Sequence, residues 1–346
     1  MAKANIGRPG LCVFLCLSTL GSAVSYSSEP SRAETWIEAG HWKRARTEVE
    51  GRIRIAPNDP LANFLLSQIR AAFGDRTTPL PLAEKAVALD GNTAKYHRQV
   101  AEVIGVIAQH SNPFQQVLLA HRFHKQIDTA LALDPRDVQA NRDLLEFFLL
   151  APGIAGGSRQ KAAGVAERIA AIDPPAGLLA KARIASYDKQ PALEESLLRK
   201  AAEAQPPSYR ARIALAEFYL ARQTNLPAAE AAAKDALRLD PGRADAYAVL
   251  AGIYAERQSW TELDAVLAAA EREVPDDLYP QFRAAEQLTA ARHHLDLAER
   301  YLRAYLTQEP EGNRPTTAEA NQQLERVVEL RRRFDRNRGT SERALL

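Results

Sequence analysis

Residues 244–275 read ADAYAVLAGIYAERQSWTELDAVLAAAEREVP. Tyr247, Leu250, Ala251 and Tyr254 recur at three- and four-residue steps, as one face of a helix requires, and Leu263, Leu267 and Ala270 repeat the pattern after a polar interval. The segment therefore reads as two helices joined by a short turn. The aromatic rings and leucines fill the space between the paired helices, and Ala251 and Ala270 let their backbones approach. Pro275 stops the second helix, because it has no N–H to donate and its ring clashes with the preceding turn. Each of these positions has a packing reason, and none has a chemical one.

The same closing position recurs along the chain at Pro57, Gly91, Pro135, Pro174, Pro206, Pro241, Pro275 and Pro310, with successive separations of 34, 44, 39, 32, 35, 34 and 35. Ala214-Leu215-Ala216-Glu217-Phe218-Tyr219, then Ala229, Ala233, Ala236 and Leu239-Asp240-Pro241, repeat the unit closely. Leu131-Ala132-Leu133-Asp134-Pro135 and Ala170-Ala171-Ile172-Asp173-Pro174 repeat its end, while Leu89-Asp90-Gly91 puts Gly for Pro. The first unit is partial but keeps Gly40, Trp42, Ala45, Val49 and Pro57. In spacing and residue type the chain resembles the tetratricopeptide repeat (TPR) family over roughly residues 30 to 310, with a 34-residue period and two insertions. That resemblance implies an all-α, right-handed superhelical solenoid of about eight antiparallel helix pairs. The abundance of Ala, Leu, Arg and Glu over β-branched residues agrees with helix packed on helix and predicts no strand.

The flanks differ from the array, which occupies 26–313. At the start, Lys3 and Arg8 precede an apolar run from Leu11 to Leu20, followed by the small residues Gly21-Ser22-Ala23-Val24-Ser25. This is the pattern of a signal peptide over 1–25, too short in its apolar part to span a bilayer, so no transmembrane segment is expected after cleavage. Both cysteines, Cys12 and Cys16, fall inside it, which leaves the remainder without thiol or disulfide chemistry. The leader carries two bases and no acid, so the remainder balances 43 basic against 43 acidic residues. A neutral protein is no general nucleic-acid binder. At the other end, Thr316 and Thr317 can cap a final helix over 314–335 with Ala320, Leu324, Val327, Val328, Leu330 and Phe334 on one arc. It covers the last apolar face, as arrays require, and is followed by a polar tail at 336–346 that reads as disordered. Its arginines, Arg326, Arg331, Arg332, Arg333 and Arg336, read as a solvated face.

The two insertions mark where the array is specialised. Ten extra residues between Gly91 and Pro135, near Gln109-His110-Ser111-Asn112-Pro113, are expected to lengthen the second helix, Phe114 to Leu133, at its start. Five more form Ala151-Pro152-Gly153-Ile154-Ala155-Gly156-Gly157-Ser158, similar to a loop of a subset of exported bacterial TPR proteins that implies no established chemistry. Gly153, Gly156, Gly157 and Ser158 are a candidate loop site, since a Gly-rich turn at a helix N-terminus can hold an anion. A tight linker whose glycines take positive φ is the plainer reading.

No cofactor motif, nucleophile group or metal set stands out. His121-x-x-His124 with Asp128 has helical spacing but no third strong ligand, and the chain reads as a binding module rather than an enzyme. TPR geometry lines the concave wall with first helices, and implies candidate contacts at Lys95, Arg98, Glu102, Arg142, Glu146, Lys181, Arg210 and Glu217. Phe64, Gln68, Gln139, Asp245, Arg283 and Gln287 share that face. The recurring bases suit an acidic or C-terminal carboxylate peptide. The four-residue spacings of Arg98 to Glu102 and Arg142 to Glu146 equally allow pairing within each helix. The expected role is a protein- or peptide-binding scaffold of a bacterial periplasm or envelope. The alternative is a subunit of an envelope assembly with no free peptide ligand.

Overall fold

Residues 30–344 are described by a computed structural model, with side chains through residue 333; the expected leader lies outside them. Eight helix pairs follow one another: α1 (Arg32–Ala39) and α2 (Trp42–Ile55), α3 (Pro60–Ala72) and α4 (Pro79–Leu89), α5 (Ala94–Gln109) and α6 (Pro113–Leu133), α7 (Val138–Leu150) and α8 (Arg159–Ile172), α9 (Pro174–Tyr187) and α10 (Pro191–Glu203), α11 (Tyr209–Ala221) and α12 (Leu226–Leu239), α13 (Ala244–Glu256) and α14 (Trp260–Glu273), and α15 (Tyr279–Ala291) and α16 (Leu295–Tyr305). A final helix, α17 (Thr317–Ala344), packs on α16. There is no strand among the described residues, and the pairs stack consecutively into the right-handed solenoid.

Local chemistry sets the boundaries. Asp59, Asp173 and Asn112 each accept a hydrogen bond from a backbone N–H of the first turn, and each is followed by a proline at the first helical position, where no N–H is missed. Asp173 serves twice, closing α8 and capping α9, so Pro174 begins a helix as well as ending one. With no linker there, α8 and α9 approach so closely that a Cβ on Gly177 would lie 2.3 Å from the Ala170 backbone. Thr316 opens α17 through a reciprocal pair of hydrogen bonds with Glu319. Ala320 and Val327 bury completely, and Leu324 and Leu330 pack beside them. The α17 backbone runs helical past the end expected at residue 335.

The first insertion enters both helices of its unit. Besides α6, which is 21 residues long, α5 reaches 16, against 13 and 14 in the α13–α14 unit. The second insertion forms a single 3₁₀ turn at Gly153–Ala155.

The two ends of the array meet. The start of α2 lies against the connections that follow α14 and α16: Arg44 forks onto the Asp276 carboxylate at 2.7 and 3.0 Å, and Arg46 pairs with Glu309. Lys43 donates from Nζ to the carbonyls of Asp276 and Glu309 at 2.6 and 2.8 Å, and its backbone N–H donates to Glu311 Oε2 at 2.8 Å. Asn313 N–H donates to the Ala72 carbonyl at 2.8 Å. Gly312 is required at this seam, because any Cβ would come within 2.7 Å of the Trp42 ring and 2.9 Å of Ala72. From the seam Arg314 reaches inward, donating to Asp277 at 2.9 Å and Asp245 at 2.7 Å with its guanidinium over the Tyr279 ring.

Candidate functional site

Three successive first helices, α7, α9 and α11, leave a concave cleft of about 530 Å³ between them. Val138, Leu179, Ala180, Ala214 and Phe218 give it an apolar floor, and Gln139, Arg142, Glu146, Arg183, Arg210 and Glu217 stand along its walls. Each first helix carries its apolar residues toward its partner, so the opposite face is free to line the cleft.

The structure divides the expected basic stripe into paired and unpaired members. Lys95 donates to Glu34 on α1 at 2.6 Å and lies over the Phe64 ring. Arg98 is held among Glu102, Asp137 and Asp143 at 3.3, 3.6 and 3.9 Å. Lys181 turns to Glu167 on α8, outside the cleft, because α9 abuts α8 without a linker. Glu146 accepts both arms of Arg183 at 2.8 and 2.9 Å instead of pairing with Arg142. Glu217 accepts from Arg283 on α15 at 2.8 Å, and burial pushes its carboxyl upward against that cation. Phe64 is in the core, and Asp245 belongs to Arg314.

Arg142 and Arg210 remain. Arg142 donates only to the neutral Gln139 side chain, at 2.8 Å, and its guanidinium is pushed down by burial, with Asp143 and Glu146 opposing. No carboxylate among the described residues pairs with Arg210. Its pKa is pushed down to about 10, first by the protein crowded around it and then by Arg142 and Arg243. Arg243, which the periodicity did not single out, stacks on the Tyr209 ring at 4.3 Å, and its buried Nε has no hydrogen-bond partner. Three guanidinium groups thus share one stretch of the concave wall, with Arg210 repelled by the other two. Such a wall can bind carboxylates through charge-assisted, bidentate hydrogen bonds.

The loop at 151–158 spends its own donors. Ala155 and Gly157 N–H donate to the Pro152 carbonyl, Gly156 N–H to Gly153 and Ser158 N–H to Phe148. Ser158 caps α8, and Arg159 is paired with Asp188. Gly156 takes a φ of 101°, and a Cβ on Gly157 would overlap the Ala151 carbonyl oxygen at 1.8 Å. Gly153 has open space around it. Beneath the loop, His124 meets the Phe147 ring edge-on at 4.5 Å and its pKa is lowered by burial, so it packs as a neutral ring. No group of three His, Cys, Asp or Glu residues among those described is placed to share a metal ion.

Fold and cleft together define a TPR-type solenoid. No family model and no curated protein matches the chain. Among solved structures, the yeast Tom70 aligns at 14% identity with a TM-score of 0.56, covering 89% of this chain and 62% of that one. A thermophilic TPR protein of Thermus thermophilus aligns at 17% identity and a TM-score of 0.48, covering 54% of this chain and 95% of that one. A tetratricopeptide repeat protein from Parabacteroides merdae aligns at 10% identity and 0.42, covering 86% and 96%. The likeness to Tom70 is one of fold, and this chain spans about three fifths of that chain's length.

Proposed function

We propose that this chain is a protein-binding scaffold whose concave cleft takes an acidic segment of its partner on Arg142, Arg210 and Arg243. The observation that carries this reading is the unbalanced charge of those three side chains on a wall whose other arginines, Arg98, Arg183 and Arg283, are each held by a carboxylate. Replacing Arg142 and Arg210 together by Gln is expected to weaken binding of an acidic Glu/Leu octapeptide by about tenfold or more and to flatten its salt dependence. The double variant should melt close to the wild-type temperature, because it removes the repulsion between Arg142 and Arg210 along with the longer-range attraction of Arg142 to Asp143 and Glu146, and no direct ion pair. Titration calorimetry at two ionic strengths reads the first effect and a thermal scan the second. Equal affinity of variant and wild type would remove the cleft from consideration.

The scaffold works in a bacterial periplasm or envelope, a placement that rests on the leader-like residues 1–25. No described helix is long and apolar enough to cross a membrane. N-terminal sequencing of protein from the periplasmic fraction should find a start between Val24 and Ser28. Recovery of membrane-bound protein that retains Met1 would contradict the placement.

A further inference from the structure

The two insertions, about 40 residues apart in sequence, arrive at one place. The lengthened end of α5 from Gly105 to Gln109, the added first turns of α6 from Gln116 to Phe123, the end of α7 and the loop residues Ala151, Pro152 and Ala155 together line a pocket of about 230 Å³. That is room for one long side chain rather than for a metabolite. Its walls are apolar, with Leu119, Phe123 and Phe147 among them and the two rings stacked. Val106 and Leu150 line it while remaining 48% and 52% exposed, and Ile154 stands beside it on the loop at 87%. Large apolar side chains left this open cost free energy unless something covers them.

The charged residues that line the pocket are all acids: Glu102, Asp143 and Glu146. Two of these are served from behind, Glu102 by Arg98 and Glu146 by Arg183. Asp143 is not. Its side chain is 25% accessible, but Oδ2 is shut off from solvent and has no hydrogen-bond donor, with the nearest cation, Arg98, 3.9 Å away. With Oδ2 enclosed beside Arg98, the accessible part of the Asp143 side chain is what this carboxylate presents to the pocket, where a cation can reach it.

We propose that this pocket is a second binding site, which takes a lysine or arginine side chain of a partner protein, flanked by apolar residues that cover Val106, Leu150 and Ile154. The long aliphatic stem of the base lies along Phe123 and Phe147, and its cationic head pairs with the accessible side of the Asp143 carboxylate. The Gly-rich loop then acquires a structural purpose, since the positive φ of Gly156 and the crowding at Gly157 fold Pro152 and Ala155 inward as one wall. The site adjoins the arginine cleft on the other side of α7, with Glu146 lining both.

The probes are two labelled peptides, acetyl-Leu-Leu-Arg-Leu-Leu-amide and its twin with citrulline, a neutral isostere, in place of Arg. Fluorescence anisotropy on the full chain should show the arginine peptide binding about tenfold or more tighter than its twin. Asp143→Asn should bring the two peptides to equal affinity. Gly105→Leu, whose Cβ meets only ordinary contacts near Phe123, should fill the pocket and abolish binding of both without lowering the melting temperature. Arg210→Gln with Arg243→Gln should change neither, which separates failure here from failure of the cleft. The proposal is overturned if the wild type binds neither peptide, or if it does not distinguish them. It is also overturned if Ile154→Asp converts a dimer to a monomer in sedimentation, because the apolar rim would then belong to a second copy of the chain.

Discussion

Arg314→Ala is expected to lower the stability of the array by about 3–5 kcal/mol, the range for removing one partner from a buried ion pair. Asp277 is only 5% exposed, and without Arg314 its charge keeps no cationic partner in a space that water barely reaches. Asp245, beside it, would lose its partner at the same time. Two carboxylates that now share one guanidinium would face each other, whereas in the native protein they hold the arginine firmly in its charged form. Arg314→Lys should restore part of the loss and not all of it, since an ammonium cannot fork between Asp277 Oδ2 and Asp245 Oδ1 while stacking on Tyr279. Hydrogen exchange should accelerate at both ends of the array, around residues 42–73 and 275–316, because the seam joins them. Urea melts that place the Ala variant within about 1 kcal/mol of wild type would contradict this account.

Leu250→Ala should cost about 2–5 kcal/mol through the lost burial and the cavity left behind. Leu250 is 2% exposed, and it belongs to the same core as Tyr247, Tyr254 and Leu267. The site has little means of collapse. Nearly every residue of α13 is buried, and Gly252 already brings its backbone so near α11 that a Cβ would meet Leu220 at 2.9 Å. Faster exchange should be concentrated between residues 240 and 310, since each unit of an array depends chiefly on its neighbours. No change in that window would argue against a shared α11–α13–α15 core.

The fold was legible because the residues that carry it act locally. Pro57, Pro135, Pro241 and Pro275 end helices by their own geometry, and the interval between them counts the units. The concave wall was legible only where pairing is local as well. The spacing of Arg98 and Glu102 announces their contact, and the structure keeps it. The same spacing in Arg142 and Glu146 suggests a pair that does not form, because Arg183 on the next first helix reaches Glu146 with better geometry. Partners such as Lys95 and Glu34, or Arg283 and Glu217, are 61 and 66 residues apart. Periodicity fixes the face that each of these occupies, but not which of several opposite charges on the superhelix it meets. Arg243 escaped notice because it stands at the N-cap of α13, where other first helices carry the capping residues Asp59, Thr93, Asp137 or Ser208, and only its stacking on Tyr209 places it beside Arg210. Likewise each insertion could be located in the sequence, while their meeting beside Asp143 depends on how two successive units pack.

An array with two free termini begins to fray at whichever end is weaker, and its curvature follows the thermal motion of every unit. Here α2 and α3 rest on the connections after α14 and α16 through Arg44, Arg46, Lys43 and the tight contact at Gly312. The middle of the chain is therefore held as the crown of an arch is held by its abutments. A partner entering between α7 and α11 meets a wall whose radius is already set, and the ordering that a flexible groove would have to undergo on binding has been completed by folding.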